Sequence, residues 1–207
     1  RFKEGSVDFS SEEVRFKLDE DGTPLSVYVK ERKDAHMLVE DFMLLANREV
    51  SSFIGSKEKA LNTKIPFVYR VHDEPDPEKA MQLALFAKAL GFEMDVSTAE
   101  AISKSYTRLV AAAETDSALK MLAPLAIRTM AKAIYTTENI GHYGLAFDYY
   151  THFTSPIRRY PDMMVHRLLA LYLDGGKSVV KKVWDDKCIH SSEREKVAAS
   201  AERSSIK

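Results

Sequence analysis

Alternation of apolar and charged residues near the N-terminus predicts a β-hairpin. In VRFKL (14–18) the alternation is strict, and it resumes over residues 25–29. The connecting segment DEDGTP contains Asp21-Gly22, a pair typical of tight hairpin turns. Residues 14–29 are therefore expected to form two antiparallel strands.

After residue 34 the hydrophobic pattern takes a helical period. The segment DAHMLVEDFMLLANREVSSFIG predicts a helix of about five turns that ends at Gly55. IPFVYRVH (65–72) predicts a short apolar strand, and residues 135–154 keep no lasting period. Further helices are predicted after Pro77 and over residues 97–113, 117–134, 156–173, about 178–186, and 191 to the end. The helix 117–134 is expected to be interrupted or to start near Pro124, and Ser192 and Glu195 have the spacing of a capping box for the last helix. Strands followed mostly by helices predict an α+β fold rather than alternating βαβ units.

Composition fits a single domain with a real core, because the 207 residues are 45% hydrophobic. Thirty Lys and Arg against thirty-one Asp and Glu give a net charge of −1. This balance lacks the overall basic footprint of nucleic-acid-binding proteins but allows a local basic cluster. The single cysteine, Cys188, excludes an intrachain disulfide and fits a reducing compartment. No apolar run approaches the roughly 20 residues that span a bilayer, so a cytoplasmic protein without a membrane partner is expected.

The segment FTSPIRRYPDMMVHRLL places two arginines in the first turn of the predicted helix 156–173. A cation in this turn opposes the helix dipole at a cost of a few tenths to about 1 kcal/mol. Two interpretations remain open. Arg158 can pair with Asp162, four residues on, with Pro161 shortening or resetting the helix. Alternatively, a phosphate binds the free backbone N–H groups together with the guanidinium.

Helical geometry ranks the two arginines differently. At 100° per residue, Arg158 borders the apolar stripe of the predicted helix, whereas Arg159 lies about 200° from Ile157. Arg158 is therefore preferred as the site residue, and Arg159 is expected to be solvated. The stripe that should face the core consists of Ile157, Tyr160, Met164, Leu168 and Leu171.

The histidines do not form a metal-binding pattern. His142, His152 and His166 are not spaced by four residues, and no companion carboxylate or cysteine pattern accompanies them. No metal ligand is therefore predicted in this sequence.

The segment NIGHYGLAFDYYTHFTSPIRRYPDMMVHRLL (139–169) closely resembles the signature of the ribonuclease II / ribonuclease R family. Four other blocks resemble the family in the same order: GSVDFSSEEVRFKLDEDGTPLSVYVKER, AHMLVEDFMLLAN, IPFVYRVHDEPDPEKA and RTMAKAIYTTENIGH. Their details are nearer to ribonuclease R than to ribonuclease II. The resemblance implies a processive 3′→5′ exoribonuclease that takes the 3′ end of single-stranded RNA, releases nucleoside 5′-monophosphates and uses Mg²⁺.

The resemblance also implies roles for individual residues. Arg158 matches the arginine that holds the phosphate near the scissile bond, and its neighbour Arg159 is expected to contribute to RNA binding. Phe9, in SVDF, matches an aromatic residue that stacks on the terminal base. Glu40, in VEDFMLLAN, matches an acidic residue near the terminal nucleotide, and Glu202, in SAERSS, matches a glutamate that lines the RNA path.

The sequence pattern offers an ordinary explanation for two of these residues, whereas the third, Glu40, suggests a site even without the family. Phe9 alternates with neighbouring residues as a core residue of a strand does, and Glu202 fits a solvated helical position. Glu40 lies in a stretch, 37–46, that is otherwise apolar all round, which predicts a buried helix. A buried carboxylate needs a partner or a cavity. Glu40 also shares a helix face with Asn47, seven residues on.

The family's Mg²⁺-binding aspartate cluster is expected upstream of Arg1, outside this sequence. The cold-shock-like modules and the S1 domain of the family are also missing. The 207 residues are therefore expected to be a single partial domain, the C-terminal portion of the catalytic domain, and to be inactive alone. The full-length protein is expected to be a monomer. The alternative hypothesis is a catalytically inactive RNA-binding or scaffold protein with the same fold.

Overall fold

The computed structural model describes residues 14–31 and 33–205. Phe9 lies outside this part of the chain, so its predicted stacking role stays a prediction. The strands are β1 (Val14–Leu18), β2 (Pro24–Val29), β3 (Tyr69–Val71) and β4 (Ile134–Thr136). The helices are α1 (Asp34–Leu61), α2 (Pro77–Ala89), α3 (Ala99–Ala113), α4 (Ser117–Lys120), α5 (Ala123–Thr129), α6 (Tyr160–Leu173) and α7 (Lys181–Ser205), with a short 3-10 helix at Tyr143–Leu145. The α+β prediction is confirmed.

The predicted N-terminal hairpin is present. β1 pairs antiparallel with β2, with Val14 opposite Val29. In the connecting turn, one carboxylate oxygen of Asp19 accepts the backbone N–H groups of Asp21 and Thr23, at 3.0 and 2.7 Å. Gly22 takes the left-handed conformation, φ +84°, that favours glycine. The turn residues and the alternation of the two strands therefore favour the same hairpin.

α1 is longer than predicted. It runs past Gly55 to Leu61 and ends where Asn62 takes a left-handed conformation, φ 47°. Gly55 is buried inside the helix, and a Cβ built on it would lie 2.9 Å from Cδ1 of Tyr149. The glycine therefore allows close packing of an aromatic ring on α1. It does not mark the helix end, and that prediction was wrong.

The first hydrophobic core surrounds the two-stranded sheet formed by β3 and β4. These strands pair antiparallel, with Val71 opposite Ile134, and β4 was not predicted from the sequence. α6 packs on this core through residues that include Met164 and Leu168. α7 supports β4 directly, because the hydroxyl of Ser192 accepts the N–H of Tyr135 at 2.9 Å. The core contains Ile54, Phe67, Val68, Tyr69, Val71, Tyr135, Met164, Val165, Leu168, Tyr172 and Cys188.

α7 is one continuous helix, where two helices were predicted. Ser192, which was expected to cap a second helix, is buried in the interior of α7. Its hydroxyl donates to the carbonyl oxygen of Cys188 at 2.9 Å while it accepts from β4. The serine therefore satisfies a strand N–H across the core, a role that local sequence cannot reveal.

A second core lies within α2–α5. Its buried residues include Leu83, Tyr106 and Leu109. Asp76 caps α2 by accepting the N–H of Glu78 at 3.0 Å, and Pro77 follows in the first turn, as predicted. The helix predicted over 117–134 is divided into α4 and α5 close to Pro124, where an interruption was expected, but it ends at Thr129 and is followed by β4.

Candidate functional site

Residues 155–159 form a turn ahead of α6 and not its first helical turn. The N–H groups of Arg158 and Arg159 both donate to the carbonyl oxygen of Ser155, at 3.2 and 3.0 Å. α6 begins at Tyr160, with Pro161 in its first turn. A proline ring inside a helix clashes with the carbonyl four residues earlier, so a helix that began at Pro156 would be broken at Pro161. The predicted start at Pro156 was therefore wrong.

This turn reverses the predicted ranking of the two arginines by exposure. Arg158 is exposed, and Ile157 beside it is fully exposed. The side chain of Arg159 is only 24% exposed. Of the predicted stripe, Met164 and Leu168 are buried, whereas Ile157, Tyr160 and Leu171 are exposed. Helical angles do not apply to a turn, so the inferred orientation of both arginines was wrong.

Asp162 holds this turn against the helix. Its side chain is 0% exposed, and Oδ1 accepts the N–H of Ser155 at 2.7 Å and an Nη2–H of Arg159 at 2.9 Å. The predicted pairing of Asp162 with Arg158 was therefore wrong, because the partner is Arg159. A carboxylate in the first turn is also favoured by the helix dipole. Within residues 14–31 and 33–205, the side chain of Arg158 makes no hydrogen bond or ion pair.

A cavity of about 800 Å³ separates this turn from α7. Its floor includes the ring of Tyr135, and Tyr160 reaches the cavity with 55% of its surface exposed. Basic side chains come from both sides. The turn contributes Arg158 and Arg159, and α7 contributes Lys187, His190 and Arg194.

The two acidic residues that line the cavity are paired with other cations. Glu195 accepts two hydrogen bonds from Arg70, at 2.6 and 3.0 Å, and Asp186 pairs with Lys182 at 3.2 Å. Neither carboxylate therefore neutralises Arg158. The cavity is suited to an anion, because a guanidinium binds phosphate or carboxylate through two parallel N–H donors.

The floor of the cavity is neutral. Arg70 stacks on the Tyr135 ring, with 4.6 Å between the guanidinium carbon and the ring centroid. The hydroxyl of Tyr135 is hydrogen-bonded to Nδ1 of His152 at 2.8 Å. Burial raises the pKa of Tyr135 to about 12 and, together with the nearby Arg159 charge, lowers the pKa of His152 to about 2. Arg70 was not predicted from the sequence, although it is the single charged residue within the apolar segment 65–71, which was a usable signal.

Glu40 does not line this cavity. It is half-buried on α1, but the surrounding stretch is not the buried helix that was predicted, since Leu38 and Phe42 are mostly exposed. The polar face that Glu40 shares with Asn47 has a structural explanation. The buried Asn47 amide donates to the Tyr150 hydroxyl at 3.1 Å and accepts the N–H of Phe153 at 2.9 Å. α1 thus fixes the segment that leads into the turn.

Glu202 lies on α7 beyond the cavity and is exposed. It follows Glu195 by seven residues, so the two lie within about 20° of each other around the helix and about 10 Å apart along its axis. Glu202 therefore faces the same side of α7 as the cavity.

Residues 14–31 and 33–205 contain no group of three or more His, Cys, Asp or Glu side chains that could hold a metal ion. They therefore do not fit a Mg²⁺ site. In the same part of the chain, no helix is both long and apolar enough to cross a membrane.

The chain is similar to proteins named ribonuclease R. It is 40% identical over 186 residues to that of Ureaplasma parvum, which covers 88% of this chain and 26% of the relative. It is 39% identical over 211 residues to that of Thermotoga maritima, covering 98% of this chain and 29% of the relative. The chain thus spans less than a third of the length of these relatives.

Solved structures show the same fold. The apo form of Mycoplasma genitalium RNase R matches with a TM-score of 0.82 and 25% identity, covering 98% of this chain and 32% of that protein. The same enzyme in complex with ribose-methylated single-stranded RNA matches at 0.75 and 26% identity, covering 92% and 29%. Yeast Ssd1, described as a pseudonuclease, shares the fold at 0.63 and 23% identity, covering 79% and 20%. The family described as the RNB domain matches residues 1–175, so the chain belongs to the RNB domain family.

Proposed function

We propose that this chain is the C-terminal portion of the catalytic domain of a processive 3′→5′ exoribonuclease, and that the cavity beside Arg158 binds RNA phosphate. One observation carries the proposal: the exposed Arg158 faces a cavity whose acidic residues are paired with other cations. The relatives named ribonuclease R and the RNA complex of the M. genitalium enzyme support RNA as the substrate class.

Arg158 is proposed as the catalytic residue of this chain. Its guanidinium would donate two hydrogen bonds to the phosphate at the scissile bond. The negative charge is redistributed over the phosphate oxygens in the transition state of cleavage. A cation held in place beside those oxygens stabilises this charge. Arg159 has a different part, because its ion pair with Asp162 holds the turn that presents Arg158. Arg159 also borders the cavity and is proposed as a secondary RNA contact.

The other features implied by the family are proposed for the full-length protein. It would take the 3′ end of single-stranded RNA, release nucleoside 5′-monophosphates, require Mg²⁺ and act as a cytoplasmic monomer. The described residues provide no cluster for the ion, so no step through Mg²⁺ is assigned to them, and the 207 residues alone are proposed to be inactive. Glu202 would border the RNA path along α7, with Glu40 and Phe9 nearer the terminal nucleotide.

The test is turnover of the full-length protein on single-stranded RNA labelled uniformly at its phosphates, measured as release of labelled monophosphate. Arg158→Ala should lower kcat by about 10²-fold or more, which is typical for the loss of one charge donor in a transition state. Arg158→Lys should restore little activity, because lysine lacks the two-pronged geometry of arginine. Arg167→Ala is the matched control, since Arg167 is exposed on α6 and does not line the cavity. Unchanged turnover in Arg158→Ala would contradict the assigned role.

A second candidate is an RNA-binding protein that does not hydrolyse RNA. The fold shared with a protein described as a pseudonuclease shows that the fold alone does not decide between the two. The same experiment separates them. RNA binding that depends on Arg158, without monophosphate release by the full-length protein, would favour this candidate.

A further inference from the structure

The face of α7 that lines the cavity carries a basic stripe, defined by Lys187, His190 and Arg194. These residues are spaced by three and four positions, which places them on one side of a helix. Arg158 enters the same cavity from the turn ahead of α6. Cationic side chains therefore line the cavity from two separate elements, the turn and α7.

Among the residues that the structure describes, Arg194 forms no ion pair with either of its sequence neighbours, Glu193 and Glu195. Glu195 is held in a two-point contact by Arg70, whose side chain is only 13% exposed. Asp186, on the same helix, pairs with Lys182. In the described part of the chain, the side chain of Arg194 makes no hydrogen bond or ion pair, and its exposed guanidinium is available to a ligand.

An exposed aromatic side chain in the cavity favours a nucleic acid over a free anion. Tyr160 is exposed at the cavity, close in sequence to Arg158. Basic side chains interleaved with aromatic rings are typical of sites for single-stranded nucleic acids, because cations bind phosphates and bases stack on rings.

We propose that Arg194 and Lys187 form a second phosphate subsite for RNA, separate from the one at Arg158. The proposal rests on the proposed function, in which Arg158 holds the scissile phosphate. Lys187 and Arg194 are about 10 Å apart along the helix axis, so the basic stripe extends along the RNA strand and binds phosphates that do not react. Such contacts stabilise the bound ground state and the transition state by the same free energy. Their loss therefore raises KM without changing kcat.

The test measures binding separately from hydrolysis. Full-length protein is titrated into a fluorescein-labelled single-stranded RNA in EDTA, and anisotropy gives Kd over a range of salt concentrations. Arg194→Ala should weaken binding by about 10-fold and reduce the slope of log Kd against log salt by about 0.7, the value for one phosphate contact on a single strand. In Mg²⁺, KM should rise by a similar factor while kcat stays within about twofold. Arg194→Lys should keep the salt slope, because it keeps the charge.

Arg203→Ala is the matched control. Arg203 follows Arg194 by nine residues, which places it on the opposite side of α7, and it removes the same charge from the same helix. Arg203→Ala should leave Kd, the salt slope and KM unchanged. If Arg194→Ala behaves like Arg203→Ala, the second subsite is refuted, even if Arg158→Ala abolishes turnover.

Two other outcomes separate the subsite from the proposed function. If the unmodified protein releases no monophosphate while Arg194→Ala still weakens binding and lowers the salt slope, the subsite stands and the hydrolytic function fails. A fall in kcat at constant KM for Arg194→Ala would refute a ground-state subsite, because it would assign the contact to the transition state.

Discussion

Arg159 and Asp162 form an ion pair that closes the turn ahead of α6. Nη2 of Arg159 donates to Oδ1 of the fully buried Asp162 at 2.9 Å, and the same oxygen accepts the N–H of Ser155 at 2.7 Å. Arg158 stays outside this arrangement and faces the cavity. Two adjacent arginines thus have different roles, since one holds the turn and the other is presented by it.

Asp162→Ala should destabilise the protein by about 3 kcal/mol. The substitution removes the acceptor for two hydrogen bonds and leaves the partly buried Arg159 without its counter-ion. Urea unfolding of the chain measures the effect. A double-mutant cycle with Arg159→Ala should give a coupling energy of about 1 kcal/mol or more. Strictly additive effects of the two substitutions would show that the pair does not stabilise the turn.

Arg158→Ala and Arg159→Ala should separate activity from stability. Arg158 is exposed and its guanidinium makes no hydrogen bond or ion pair with the described residues, so its loss should change the free energy of unfolding by less than about 0.5 kcal/mol. Arg159→Ala should cost about 2 kcal/mol or more, because it leaves the buried Asp162 carboxylate without its cation. Urea unfolding and RNA turnover of the same variants provide the comparison. Equal destabilisation by both substitutions would make Arg158 a structural residue.

Local sequence signals predicted the elements that depend on nearest neighbours. The hairpin follows from alternation and an Asp-Gly turn, and α2 follows from Pro77 in its first turn. The start of α6 was predicted wrongly because Pro156 and Pro161 both suit a first helical turn. Only the buried Asp162 carboxylate, which reaches back to Ser155, decides in favour of the later start.

The remainder of the site depends on contacts between residues far apart in the sequence. Arg70 meets Glu195 across 125 positions, and Asn47 meets Tyr150 across 103. Hydrophobic periodicity contains no information about such pairs. The resemblance to a family indicated Arg158 without any information about these long-range contacts. The orientation inferred for Arg158 from helical geometry was wrong because residues 155–159 do not form a helix.

Gly55→Ala should destabilise the chain although alanine is the better helix former. Alanine gains about 1 kcal/mol in intrinsic helix propensity. Its Cβ would, however, lie 2.9 Å from Cδ1 of Tyr149, and overpacking of a buried position costs about 1–3 kcal/mol. A net loss of about 1 kcal/mol is expected in urea unfolding. In the background of Tyr149→Ala, the same substitution should become stabilising, and a loss of equal size there would exclude the ring as the cause.

Two histidines behind the site are kept neutral by burial. Desolvation, with the charges of nearby His72 and Arg70, lowers the pKa of His142 to about 3. Desolvation and the Arg159 charge lower the pKa of His152 from 6.5 to about 2. His152 is fixed by Tyr135, and the His142 ring packs edge-on against Tyr150, with 5.1 Å between ring centroids. Protonation of either ring therefore opposes the folded state.

Acidification should unfold the protein through these two histidines. Between the ordinary pKa of 6.5 and the lowered values, the unfolded chain binds more protons, so the free energy of unfolding falls as pH decreases. Each histidine should contribute a loss of about 2 kcal/mol between pH 7 and pH 5. Urea unfolding across this range should show a loss smaller by about that amount in His152→Gln. An unchanged pH dependence in His152→Gln would show that this ring is not kept neutral by the fold.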